Sequence, residues 1–180
     1  MSNIRNNNLF EQIKNLIEQT KQNVAISVNS SLTMMYWEIG NKINQDILKN
    51  RRAEYGKEIV VTLSRQLQDN FGKGFDEKNL RRMMQFANAI EKQKVVTLSR
   101  QLSWSHFLAL LPLQDNLKIE FYAQMTIAQN WGVRTLRERI DSMLYERTAL
   151  SKQPDELIKY ELNNIKQEEF SKNMILKDPY

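Results

Sequence analysis

The chain has no cysteine, one histidine, three prolines and five glycines in 180 residues. Without cysteine it forms neither a disulfide framework nor a thiolate metal site, and a reducing compartment such as the cytoplasm fits that composition. With His106 as the single histidine, no two-histidine metal site and no triad drawing on a second histidine can be assembled. The shortage of Gly and Pro removes much of the punctuation that strands and hairpins need. No run approaches the ~18 consecutive apolar residues of a membrane span, and the stretch from Met1 to Asn8 lacks the apolar segment of a signal peptide, so no membrane partner is expected.

What is present argues for helices. Hydrophobic residues make up 41% and charged residues 26%, proportions of an ordinary folded domain. The length suits one well-buried core or two small helical units sharing an interface. Val28, Leu32, Met35, Ile39, Ile43 and Ile47 recur at steps of three and four, with Phe10, Ile13, Ile17 and Val24 roughly in line before them. This predicts a long N-terminal arm over 9–48, either one helix or two broken near Asn29-Ser30-Ser31. Gly40 within it offers a place for close packing.

A helix follows over about 57–68 with Val60, Leu63 and Leu67 on one face. Phe71-Gly72-Lys73-Gly74-Phe75 makes a turn, and Asp76 caps a helix carrying Leu80, Met83, Ala87 and Ile90 inward. That is a helix-turn-helix pattern. A second hairpin comes after it: a short helix from Val95 to Leu102, Ser103 as cap, and Trp104, Phe107, Leu108 and Leu111 along one face. The octapeptide Val-Val-Thr-Leu-Ser-Arg-Gln-Leu begins both hairpins, at residues 60–67 and 95–102. Two closing helices cover 115–147. Asp115 caps the first, with Leu117, Phe121, Met125 and Ala128 inward; Val133, Leu136, Ile140, Met143 and Leu144 line the second. The expectation is an all-α domain of about six helices over 1–150, with hairpins over 57–111, followed by a polar helical linker over 151–180.

The charge is uneven. Lys49 to Arg100 holds twelve Lys or Arg against six Asp or Glu, net +6, while the remainder holds fourteen against fifteen, net −1. Such a field attracts phosphates and steers association, although a solvated basic face has the same composition. The helix after Asp76 carries Lys78, Arg81, Arg82, Gln85 and Asn88 on its polar face, and Lys73 sits in the turn before it. Guanidinium and amide groups of this kind contact phosphates and read base edges in the major groove. These six residues are the candidate DNA-binding set.

Catalytic signals are poor, and no catalytic, metal-binding or cofactor residue is assigned. His106 stands at a helix start, where helix-end hydrogen bonding accounts for it. Pro154-Asp155 has the beginning of a PD-(D/E)XK nuclease motif but lacks the downstream (D/E)-X-Lys; Asp76-Glu77-Lys78 has that second form but precedes the Pro-Asp pair and starts a helix. The methionine pairs and the tryptophans Trp37, Trp104 and Trp131 lie at helical spacing and read as core.

The succession Tyr36-Trp37-Glu38-Ile39-Gly40, Tyr55-Gly56-Lys57, Asn79-Leu80-Arg81-Arg82-Met83, Leu102-Ser103-Trp104-Ser105-His106 and Trp131-Gly132-Val133-Arg134 resembles the N-terminal domain of the YhcG family, also known as domain of unknown function 1016. The likeness runs from about residue 10 to residue 147. It implies a helical domain placed ahead of a PD-(D/E)XK nuclease domain, and Lys177-Asp178-Pro179-Tyr180 resembles the junction into that domain. The chain is therefore expected to be an N-terminal fragment that is not itself an enzyme. Where the family usually has Ser this chain has Gly132, which leaves a weaker helix cap. The expected role is to bind and position double-stranded DNA for the nuclease. The alternative is a dimerisation or protein-partner module, a homo-oligomer formed through the arm by Phe10, Ile13, Ile17, Leu32, Ile39 and Ile43.

Overall fold

The structure, a computed structural model, describes the backbone of residues 2–50 and 53–150 and the side chains of 8–48, 56 and 58–150. Among these residues there are eight α-helices and no strand: α1 (Ser2–Asn50), α2 (Ala53–Phe71), α3 (Glu77–Ala89), α4 (Lys92–Leu98), α5 (Trp104–Leu110), α6 (Asn116–Gln129), α7 (Val133–Asp141) and α8 (Leu144–Leu150). A 3-10 turn, Lys73–Phe75, joins α2 to α3. The all-α class is as the sequence implies, with more helices than expected. The segment 151–180, including Pro154-Asp155 and the proposed linker, lies outside the described residues. The chain divides into two compact units, the first ending at Gln114 and the second beginning at Asp115.

In the first unit α1 is one helix, unbroken at Asn29-Ser30-Ser31. Those three polar residues do not interrupt it because two of them dock other parts of the unit. Asn29 Nδ2 donates to the carbonyls of Ser99 and Leu102 at 2.8 and 3.0 Å, and the Ser30 and Ser99 hydroxyls lie 2.8 Å apart. The buried row of α1 is Thr33, Trp37, Gly40 and Ile43. Val28, Leu32 and Met35, expected inward, are exposed. The reason is Gly40: α3 approaches α1 where there is no side chain, so the residues flanking Gly40 on that face become the interior. Trp37 seals the contact by donating its indole N–H to the Ile90 carbonyl at 2.8 Å.

Ile43, Val60, Leu80 and Met83 form one buried cluster, against which Ile39, Leu63 and Leu67 pack. A second cluster is aromatic. Phe86 lies 5.2 Å from Trp104 and 4.9 Å from Phe107, and Tyr36 lies 5.0 Å from Trp104, ring centroid to centroid. Phe86 is buried where the sequence had suggested Ala87, which is half-buried. The octapeptide copies share a register: Val60 and Val95 are buried, as are Ser64 and Ser99, while Arg65 and Arg100 are exposed.

In the second unit the inward residues of α6 are Ile119, Tyr122, Ala123 and Thr126. This corrects the expected row, since Leu117 and Ala128 are exposed and Phe121 and Met125 only half-buried. Tyr122 determines the choice. Its hydroxyl donates to the Arg139 carbonyl at 3.3 Å and accepts the Tyr145 N–H at 3.1 Å, so that face of α6 is tied to both following helices. The expected single helix through Met143 is two helices, separated where Met143 takes φ 55°. Leu136 and Leu144 are buried, and Met143 is exposed. Gly132 begins α7 without a side-chain cap, as its lack of a hydroxyl implies.

Candidate nucleic-acid interface

The turn between α2 and α3 exists because Gly72 takes φ 88°, a region that residues with a Cβ rarely enter. Asp76 then stops the chain from running on irregularly: its Oδ1 accepts the Asn79 N–H at 2.8 Å, satisfying one of the unpaired amides of the first turn of α3. With Leu80, Met83, Phe86 and Ile90 inside, helical periodicity leaves Lys78, Arg81, Gln85 and Asn88 exposed and Arg82 half-buried. Lys73 is exposed in the turn.

The six candidate residues do not form one group. Arg81, Gln85 and Asn88 stand one turn apart and line a shallow, open cleft with Asn44 of α1, Met84 and Ala89. Lys73, Lys78 and Arg82 are outside its lining. Arg82 Nη1 reaches Asn79 Oδ1 at 3.4 Å, and the Arg81 guanidinium lies 3.8 Å from the Glu77 carboxylate, half-exposed. An exposed pair this long is a weak tie. Gln85 Nε2 donates to the Leu111 carbonyl at 3.3 Å, which turns its side-chain oxygen away from that carbonyl.

Asn44 escaped the sequence reading, for its neighbours in space are forty residues and more away. Its Nδ2 donates to the Met84 carbonyl at 2.9 Å and to Asn88 Oδ1 at 2.9 Å. A carbonyl accepts only, so the Asn44 amide must present its NH₂ to α3. Asn88, accepting through its oxygen, in turn directs its NH₂ away from Asn44. The cleft thus combines a guanidinium, amide donors and amide oxygens on one rigid helix pair.

Phe71 was not singled out as a surface residue, yet it is exposed at the tip of the turn, 6.1 Å from Phe75. Its position after the α2 stripe and before Gly72 was the available signal.

His106 is occupied structurally. Its Nδ1 accepts the Ser103 N–H at 3.1 Å while the Ser103 side chain accepts from the His106 backbone, the reciprocal arrangement of a capping box at the start of α5, and Nδ1 also lies 2.8 Å from the Ser103 hydroxyl. Among the described residues no three His, Cys, Asp or Glu side chains gather as a metal site would require. No described helix is long and apolar enough to cross a membrane.

Residues 12–147 match the DUF1016 N-terminal domain, and the chain belongs to that family. It is similar to a protein of Escherichia coli (strain K12) named "Putative nuclease YhcG", with 27% identity over an alignment covering 79% of this chain and 46% of that protein. The chain thus spans about half the length of this curated relative. No solved structure matches it.

Proposed function

We propose that this domain binds double-stranded DNA and positions it for cleavage by a PD-(D/E)XK endonuclease domain, to which it contributes no catalytic residue. The observation that carries the proposal is the exposed face of α3, where Arg81, Gln85 and Asn88, with Asn44 beside them, surround an open cleft on a helix fixed by its cap and by α1. In this reading α2 and α3 act as a helix-turn-helix, with α3 entering the major groove. Lys73, Lys78 and Arg82 hold phosphates, and the amides and Arg81 face base edges. The excess positive charge between Lys49 and Arg100 supplies the attraction. The name of the Escherichia coli relative agrees with a nucleic-acid substrate. A cytoplasmic location fits both the substrate and the absence of cysteine.

The test is binding of the chain to a labelled duplex across a salt series. Counterion release makes log affinity fall linearly with log salt, with a slope of about 0.9 per phosphate neutralised. A flat dependence, or no binding at low salt, refutes the proposal.

A second reading has its own observation: Leu9, Phe10, Ile13, Leu16, Ile17 and Val24 of α1 are all exposed. Here the domain is also a homo-oligomerisation module acting through its arm. Of the residues first expected in such a contact, Ile39 and Ile43 belong to the chain's own core while Leu32 is exposed, and the contact is placed on the part of α1 before Asn29, where every described residue is exposed. Sedimentation of the intact chain against one lacking residues 1–27 separates oligomer from monomer, and a monomeric intact chain at high concentration refutes this reading.

A further inference from the structure

Every described residue from Asn8 to Val28 is exposed. The side chain of Asn29 makes the contacts with Ser99 and Leu102 at which α1 joins the rest of its unit. An isolated helix of about twenty residues is marginal in water even when rich in alanine, and this one is rich in asparagine and β-branched residues. It nevertheless carries an ordered stripe. Phe10, Ile13, Ile17, Thr20 and Val24 follow one another at alternating steps of three and four, the repeat of a coiled coil. With Phe10 at heptad position a, Ile17 and Val24 are also a, and Ile13 and Thr20 are d.

We infer that this arm forms a parallel, in-register, two-stranded coiled coil with the arm of a second copy of the chain. The inference deepens the self-association reading and rests on it. The partner must offer an equally long stripe of the same period. Among the described residues the next-longest helix, α2, has 19 residues and turns Val60, Leu63 and Leu67 into its own core, so α1 itself is the helix that fits. Six large apolar side chains from Leu9 to Val24, each 48% to 64% exposed, stand on the part of the arm that carries the repeat. Together they approach, within a factor of two, the ~800 Å² per partner of a standard specific interface.

Charge selects the orientation. The e positions flanking the stripe are Lys14 and Lys21, and the g positions are Leu9, Leu16 and Asn23. An antiparallel pair brings e edge to e edge and sets lysine against lysine. A parallel pair brings e against g, so that the lysine stems lie over leucine and keep their ammonium groups in water. Glu11 and Glu18, at b, are left to pair within their own helix, as Glu11 does with Lys14 at 3.9 Å. Polar Thr20 at d, partly solvated in a pair and enclosed in a larger bundle, favours two strands. The regular step breaks after Val24, where Ser27 falls at d, and two residues later Asn29 docks on the unit. The coil therefore ends where the body begins, and the two bodies, each with its α3 face, lie at the same end of the coil.

Because the chain has no cysteine, introduced thiols report the pairing directly. Thr20→Cys and Ile13→Cys stand at d and Ile17→Cys at a, each a small change to the stripe. In a parallel pair each variant alone converts under mild oxidation to a disulfide-linked dimer, and the chain sediments as a dimer. Cross-linking only when the Ile17→Cys chain is mixed with a Thr20→Cys or an Ile13→Cys chain shows an antiparallel pair, in which a faces d, and overturns this inference while leaving self-association standing. A trimer or tetramer in sedimentation overturns the two-stranded arrangement. A monomer without cross-links in any combination overturns both readings.

Discussion

The α-carbon of Gly40 faces the carbonyl of Met83 so closely that a methyl group there would lie 1.9 Å from the oxygen and 2.8 Å from the Met84 amide nitrogen. Both obstacles are backbone of α3, which cannot turn aside as a side chain does. Gly40→Ala is therefore expected to force α1 and α3 apart and to cost about 3 kcal/mol, at the upper end of overpacking effects and far outside the gain in helix propensity of about 1 kcal/mol that alanine brings. Thermal unfolding of the variant checks this. A melting point equal to or above that of the parent would show that the helices slide past the obstacle.

His106 is expected to matter for folding and not for chemistry. His106→Ala removes the acceptor for the Ser103 N–H and one half of the capping box. The loss should be about 1 kcal/mol, as for other helix caps. Denaturant unfolding measures it, and DNA binding measured below the onset of unfolding should stay within twofold of the parent.

How far the fold was legible follows from where the determining contacts lie. The caps at Asp76, Ser103 and Asp115 are local, and each sits where a short polar side chain precedes an apolar period. The break at Met143 has no such mark. A methionine at φ 55° is held there by the docking of Leu144 and Tyr145 against α6, and no glycine or asparagine announces it. The inward face of α6 was misread because apolar residues occur all round that helix, so only the tertiary partners of Tyr122 decide which side is buried. The polar face of α3 was legible from its period, whereas Asn44 was not, because its role depends on Gly40 bringing α1 against α3.

Lys118 and Glu146 tie α6 to α8, and their side chains are about two-thirds covered. The hydrogen bond to Glu146 raises the Lys118 ammonium pKa, and the same bond lowers that of the Glu146 carboxyl. A lowered carboxyl contributes stability that is complete above its ordinary value and is lost as pH falls through its folded value. A raised ammonium contributes stability that is complete below its ordinary value and is lost as pH rises through its folded value. The pair should therefore support the second unit across the neutral range and fail on the acid side first. The expected result is a small melting-point advantage of the parent over Glu146→Gln at neutral pH that shrinks as pH falls below the ordinary glutamate range. An advantage independent of pH would mean that packing, not charge, joins α6 to α8.

The chain should not cut DNA. Phosphodiester hydrolysis by a PD-(D/E)XK site needs converging carboxylates that hold a divalent ion and a lysine beside the attacking water. Here Asp76 is engaged with the Asn79 amide and Glu77 with Arg81. Purified protein with Mg²⁺ or Mn²⁺ is expected to leave single- and double-stranded DNA intact while shifting the duplex in a gel. Cleavage that survives repurification and disappears in Asp76→Ala or Asp155→Ala would reveal a composite active site.

The decisive variants for DNA binding are on α3, and the structure ranks them. Arg81 borders the cleft and, among the described residues, makes the long contact to Glu77, whereas Arg82 is half-buried and directed toward Asn79. Arg81→Glu with Arg82→Glu should weaken duplex binding and lower the salt slope by about 1 where Arg81 faces a base edge, as proposed, and by about 2 where it meets the backbone as Arg82 does. A guanidinium that reads a base instead gives a different signature: Arg81→Ala alone then leaves the slope within about 0.3 of the parent, yet costs about 1–3 kcal/mol on the preferred sequence and little on others. Glu77→Gln releases Arg81 from its one acidic neighbour on the helix and removes a negative charge from the face, so it should raise affinity at low salt. Circular dichroism guards against unfolding, since all three side chains are outside the core. Parent-like binding by the double charge reversal, with helicity intact, would remove the α3 face from the interface and leave the remaining lysines and arginines between Lys49 and Arg100 as the source of any affinity.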